Sequence, residues 1–183
     1  MKVSREQMVE NRSRILSRAA RLFREKGFDA VSVAEVMKAA GLTHGGFYGH
    51  FGSKDDLIAQ TMAHALSGEG TQARGFDAFL SAYLSPVHRD APGEGCPTAA
   101  FASDARRQTP EARAAMAAGV EAQIARISAS LETQGVQDAR GAAIGGWSAM
   151  VGAMILARAV EDTTLSDEIL HQTRNWISAA LKG

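Results

Sequence analysis

A single cysteine, Cys96, stands in the whole chain of 183 residues. That excludes a disulfide-stapled scaffold and a zinc ribbon, both of which need thiols in sets. Proline is almost as scarce: Pro86, Pro92, Pro97 and Pro110 are all there are, so loops and helix starts concentrate between residues 86 and 110. No uncharged run reaches the roughly 20 residues needed to span a bilayer. The longest, Gly141 to Ala157, has 17, and its Gly and Ala content reads as a buried helix, so no membrane partner is expected. The charged N-terminus MKVSREQMVENRSR lacks the apolar segment of a signal peptide, and a cytoplasmic location is expected. No Gly-rich phosphate loop, nucleophile elbow, HExxH or paired-carboxylate motif marks an enzyme. His64, His88 and His171 have no metal-ligand spacing, and neither a metal nor a cofactor is expected.

Net charge is also lacking, with 20 Lys and Arg against 20 Asp and Glu. The balance hides a division. Residues 1–54 hold 10 basic and 5 acidic side chains, and residues 55–183 hold 10 basic and 15 acidic ones. A segment of +5 followed by one of −5 is the signature of a basic binding module on an acidic body.

What is present is helical periodicity, nearly everywhere, without the alternation of a half-buried strand. With 45% hydrophobic and 22% charged residues, the chain reads as an all-α globular protein of about nine helices. The first runs from about Arg5 to Lys26, with Ile15, Ala19, Leu22 and Phe23 inward, and ends at Gly27. Ser32 and Glu35 form a capping box for a short helix to Ala40. After a Gly41-Leu42-Thr43 turn a second short helix covers His44 to about His50, and Ser53 caps the next. A Gly-rich break falls at 68–75. Helices about Phe76, from Thr109 to Glu132, from Asp138 to Glu161 and from Ser166 to Leu181 complete the chain.

Two short helices joined by a tight Gly turn are the helix-turn-helix arrangement, whose second helix enters the major groove of DNA. Thr43, Tyr48, His50 and Lys54 place hydroxyl, imidazole and ammonium donors around that helix, as phosphate contacts require. Residues 40–57, AGLTHGGFYGHFGSKDDL, with KGFDAVSVAEV upstream, closely resemble the N-terminal domain of the TetR (tetracycline-repressor) family of bacterial transcriptional regulators, over about residues 12–60. The resemblance implies a three-helix DNA-binding domain over 1–54 and a helical ligand-binding and dimerisation domain over 55–183. It also implies a homodimer on operator DNA, and a small-molecule effector that releases it from the nucleoid. By that pattern Thr43, His44, Gly45 and Tyr48 meet base edges and flanking phosphates, His50 and Lys54 contact the backbone, and Ser32 offers its hydroxyl or amide to a phosphate, while Phe47 and Phe51 pack inward. Gly45, Gly46 and Gly49 each cost about 1 kcal/mol of helix propensity. They leave Thr43 and His44 as the main base readers, so DNA shape is expected to supply much of the selectivity.

In the remaining two thirds, Ile144, Val151 and Ile155 make one stripe beside Gly141, Gly145 and Gly152. Ile169, Trp176 and Ile177 lie along the last helix. Two such helices per subunit fit a four-helix interface about a two-fold axis. Met62, Leu66, Phe79, Tyr83, Phe101, Met116, Val120, Trp147 and Met150 are the candidate pocket lining, with Tyr83 and Trp147 able to donate hydrogen bonds. Cys96, just before a helix start, is a candidate redox or electrophile sensor. That sensor and an architectural DNA binder without a ligand are the alternatives to a ligand-released repressor.

Overall fold

The computed structural model describes residues 4–67 and 75–181, so most of the Gly-rich break expected at 68–75 lies outside the described residues. Among those described, every regular element is a helix. Helix α1 (Arg5–Lys26) starts at Ser4, whose hydroxyl accepts from the Gln7 amide. It buries Ile15, Ala19 and Phe23, and it ends at Gly27, which takes φ +80° and donates its amide to the Phe23 carbonyl. Helix α2 (Val33–Ala39) is capped by the Ser32 hydroxyl, which accepts from the Glu35 amide at 3.1 Å. The Glu35 carboxylate turns instead to Lys26 Nζ at 2.6 Å, so only half of the capping box forms. Gly41 takes φ +69°, a conformation that a side chain would strain.

The element that follows is a 3-10 helix over His44–Gly49, with His50 at its end. Three glycines in seven residues remove the propensity that would hold an α-helical turn, and the tighter winding is what short, poorly propagated segments adopt. Helix α3 (Lys54–Leu66) is capped reciprocally: Asp56 N donates to Ser53 Oγ at 3.0 Å, and Gly52 N donates to Asp56 Oδ2 at 2.9 Å. Ile15, Phe23, Met37, Phe47, Phe51, Leu57 and Met62 form one apolar core, which continues into Phe101 and Ala112. Side-chain packing is therefore continuous across residue 54.

Helices α4 (Phe76–Tyr83), α5 (Pro86–Asp90), α6 (Pro97–Ala105), α7 (Pro110–Glu132), α8 (Ala139–Ala159) and α9 (Thr163–Ala180) build the body. Pro86, Pro97 and Pro110 each open a helix, where the missing amide costs nothing, and Pro92 opens the short 3-10 turn Pro92–Glu94. Helix α9 begins three residues ahead of the expected Ser166, because Asp162 Oδ1 accepts from the amides of Thr164 and Leu165. Ser166 is instead buried, donating to the Ala157 carbonyl at 2.7 Å and accepting from Arg89 Nη1 at 2.8 Å. Phe76, Leu80, Ile127, Leu131, Met150, Met154, Leu170 and Ile177 make the second core. Helices α3 and α7 cross at Gly119, where a Cβ would stand 2.5 Å from Leu66 Cβ. Helix α8 is apolar and long enough to cross a membrane by length and composition, yet it packs between α7 and α9 as a partly buried core helix.

Candidate nucleic-acid interface and interior cavity

The 3-10 segment has two unlike sides. Phe47 is buried and stacks on Phe51 with ring centroids 5.7 Å apart, anchoring the segment from below. Tyr48, edge-on to Phe47, is 73% exposed. Thr43, His44, Gly45 and Gly49 lie beside it at the surface. A Cβ on Gly45 or Gly49 would meet nothing within 4 Å, so these glycines are not demanded by packing inside the chain and leave the backbone bare around the Tyr48 ring. Gly46 is exposed too, and a Cβ there would be in ordinary contact with the Met37 and Thr43 side chains at 3.7 Å. His50 is half-buried, and burial together with the Arg12 guanidinium holds its imidazole below the usual pKa. Lys54 Nζ donates to the Asp29 carbonyl at a long 3.4 Å, and the Ser32 hydroxyl is occupied by its cap.

Sequence reasoning missed Arg12. Its guanidinium donates to the His50 carbonyl and to Gln60 Oε1, and lies 4.6 Å from the centroid of the Phe51 ring. It fastens the end of the 3-10 helix to α1 and α3. Its spacing 38 residues from His50 gives no local signal.

A cavity of about 430 Å³ opens between α3, α4, α6, α7 and α8, with Arg24 of α1 at its wall. Four of the nine expected residues line it: Leu66, Phe79, Tyr83 and Trp147. The other five do not. Met62, Phe101 and Met150 are sealed in the two cores, Met116 packs on the first core and Val120 on the second. Helical phase is the reason, since apolar spacing marks a buried face without distinguishing filled core from open cavity. The polar lining, from Arg24, His88, Glu94, Thr98, Gln123 and Arg126, was not anticipated, because these residues come from three separate stretches of the chain.

The rim is pinned to α1. Arg24, in the last turn of α1, donates from Nε to the Gly93 carbonyl at 2.8 Å, and Arg21 pairs with Glu94 at 3.4 Å. A Cβ at Gly93 would displace the Glu25 carboxylate, and at Gly95 one would stand 2.6 Å from Arg158 Nη2. The Cys96 amide donates to His88 Nε2 at 2.9 Å, so Nδ1 carries the proton and donates to the Tyr83 carbonyl at 2.7 Å. Burial, with Arg158 nearby, lowers the pKa of this imidazole against the Tyr83 hydrogen bond, which raises it. Cys96 is half-buried and caps α6, its sulfur accepting from the Ala99 amide at 3.5 Å. Tyr83 Oη and Trp147 Nε1 are buried without hydrogen-bond partners. Burial, aided by the Cys96 thiol, pushes the Tyr83 phenol strongly up.

On the far side, Ile144 (43% exposed), Ile155 (39%) and Trp176 (63%) stand out of α8 and α9 together with Leu156 and Leu165. Gly145 has open space around it and so does Gly152, whereas Gly141 makes room for the Asp138 cap of its own helix. Val151 and Ile169 are half-buried against their own core. Ile177 corrects the expected face: one position on from Trp176 it has turned by a helical step into the protomer core, 2% exposed.

Comparison with known proteins places both halves. Residues 15–61 match the bacterial regulatory proteins of the tetR family, and residues 73–172 match the C-terminal domain of LmrA/YxaF-like transcriptional regulators. The HTH-type transcriptional regulator AcrR of Shigella flexneri is 40% identical over 57 residues, a stretch that covers 31% of this chain and 26% of AcrR. Over almost the full length, 93% of this chain and 95% of the relative, the uncharacterized HTH-type transcriptional regulator Rv0196 of Mycobacterium tuberculosis is 28% identical. The crystal structure of the reduced form of E. coli NemR shares the fold with a TM-score of 0.75 at 21% identity, covering 93% of this chain and 97% of that one.

Proposed function

We propose that this chain, which belongs to the TetR family of DNA-binding transcriptional regulators, is a homodimeric repressor that leaves its operator when a small molecule fills the interior cavity. The family is non-enzymatic. One observation carries the reading: Tyr48 stands exposed on a bare-backbone 3-10 helix, held from beneath by Phe47 and Phe51. An aromatic hydroxyl of this kind, with the Thr43 hydroxyl, the His44 imidazole and the Gly45 amide alongside, suits base edges and sugar-phosphate oxygens. Lys54, His50 and Ser32 flank it as backbone contacts.

The exposed apolar stripe of Ile144, Ile155, Leu156 and Trp176 supports a two-fold interface. A dimer is needed because two reading segments must reach major grooves about 34–36 Å apart. The effector acts by preferring the arrangement in which that separation is wrong. The cytoplasm, and the nucleoid when DNA is bound, is the matching location.

The test is capture of the genomic DNA bound by the protein, followed by a screen of small molecules for release from the strongest site. Sharp recovery of one palindromic sequence supports the operator reading. Weak sequence preference with a steep salt dependence would make the protein an architectural binder instead. Release by oxidants alone, lost on Cys96→Ser, would favour the thiol sensor.

A further inference from the structure

The cavity's chemistry is one-sided. Its wall is aromatic, with Phe79 and Trp147 stacked at 6.1 Å and Tyr83 edge-on to Trp147 at 5.2 Å. Its polar groups are mostly donors. Tyr83 Oη and Trp147 Nε1 are buried, carry no partner and belong to residues that line the space. A buried donor left unpaired destabilises the protein, and an acceptor on a ligand would relieve it. Two guanidiniums, Arg24 and Arg126, line the space with one carboxylate, Glu94, which already pairs with Arg21, while Arg126 donates from Nε and Nη2 to the neutral Gln123 Oε1.

Arg24 is the informative one. It is half-buried and spends Nε on the Gly93 carbonyl, and among the described residues no carboxylate lies within salt-bridge distance of it. Burial lowers its pKa despite the opposing pull of Glu94 nearby, so withdrawal from water outweighs the negative charge around it. A volume of about 430 Å³ suits one or two fused rings.

We infer that the cavity takes a small aromatic carboxylate, its ring against Phe79 and Trp147 and its carboxylate on Arg24 and Arg126. This deepens the effector reading above and rests on it. Because Arg24 belongs to α1, the acid is held by a helix of the DNA-binding half itself and competes for the guanidinium that now ties that helix to Gly93. Occupancy of the cavity and the setting of α1 therefore become one event.

Calorimetric titration of the full-length protein with 2-naphthoate and with its neutral analogue 2-naphthamide separates charge from shape. The acid should bind one per protomer and at least tenfold more tightly than the amide. Arg24→Gln should remove that preference, with the amide affinity held within twofold. Arg126→Gln should reduce the preference less, since that side chain lies at the surface. Tyr83→Phe should weaken both probes. Equal binding of acid and amide by the unaltered protein, or absence of binding by either, overturns the assignment, whatever the folding of the variants. Operator titration keeps the two readings apart. Acid that binds through Arg24 yet leaves operator affinity unchanged keeps the ligand class and removes the release mechanism. Amide that binds and releases DNA as well as the acid does keeps release and overturns the carboxylate.

Discussion

The DNA-facing half and the body solve opposite problems with the same helices. In the first, large rings are buried and small, bare positions are exposed: Phe47 and Phe51 lie inside, while Gly45 and Gly49 sit beside Tyr48 at the surface. In the body the interior keeps an unfilled cavity with unpaired donors, and the outside shows Ile144, Ile155 and Trp176. The first surface is bare except for Tyr48, as contact with a polar polymer requires, whereas the second retains apolar side chains, as the proposed two-fold interface requires.

The largest effect should come from breaking the anchor of the first half. Phe47→Ala should lower stability in urea denaturation by about 3–5 kcal/mol, the usual loss for a fully buried ring, and abolish operator binding. A loss below about 1 kcal/mol would show that the 3-10 helix is not held by its aromatic floor. Neighbouring positions on α9 sharpen the contrast within the body. Trp176→Glu should turn the dimer into monomers in sedimentation at micromolar concentration with the protomer still folded, whereas Ile177→Glu should unfold it. A persistent dimer in the Trp176 variant would move the interface elsewhere.

A smaller effect is expected at the reading surface. Tyr48→Ala should weaken operator binding by about 1–3 kcal/mol in gel-shift titration and leave the melting temperature unchanged, since the side chain supports no core. The smallest concerns pH. Both His50 and His88 have lowered pKa values in the folded protein, so the unfolded chain binds their protons more readily. Stability should be intact above about pH 6.5 and decline on acidification, by less than about 1.4 kcal/mol per pH unit for each proton because solvent screens both partly exposed rings. His88→Gln should flatten the decline. A slope unchanged by that substitution would mean that the Cys96–His88–Tyr83 chain tolerates the charged ring.

The two halves also differ in how far they could be read from the chain. Caps and turns are local, so Ser32, Gly41, Ser53, Thr109 and the helix-opening prolines fell where residue chemistry placed them. Asp162 was overlooked as a cap because Ser166 offered a second candidate four residues on, and that hydroxyl proved to be a buried link between α8, α9 and Arg89. The cavity was half legible. Aromatic Phe79, Tyr83 and Trp147 announced themselves, but Arg24 and His88 join the lining only through folding of α1 and α5 against residues about 70 positions distant. No local pattern distinguishes a filled apolar face from one that borders empty space, which is why Met62, Phe101 and Met150 were expected in the cavity and lie in the cores.

The central claim is that the Tyr48 surface reads a defined DNA sequence. Fluorescence-anisotropy titration of the most strongly captured duplex against a scrambled duplex of equal length, at physiological salt, tests it most directly. The account predicts a preference of about a thousandfold or more for the captured sequence, largely lost in the Tyr48→Ala dimer. Equal affinity for both duplexes, or an undiminished preference in that variant, would contradict it.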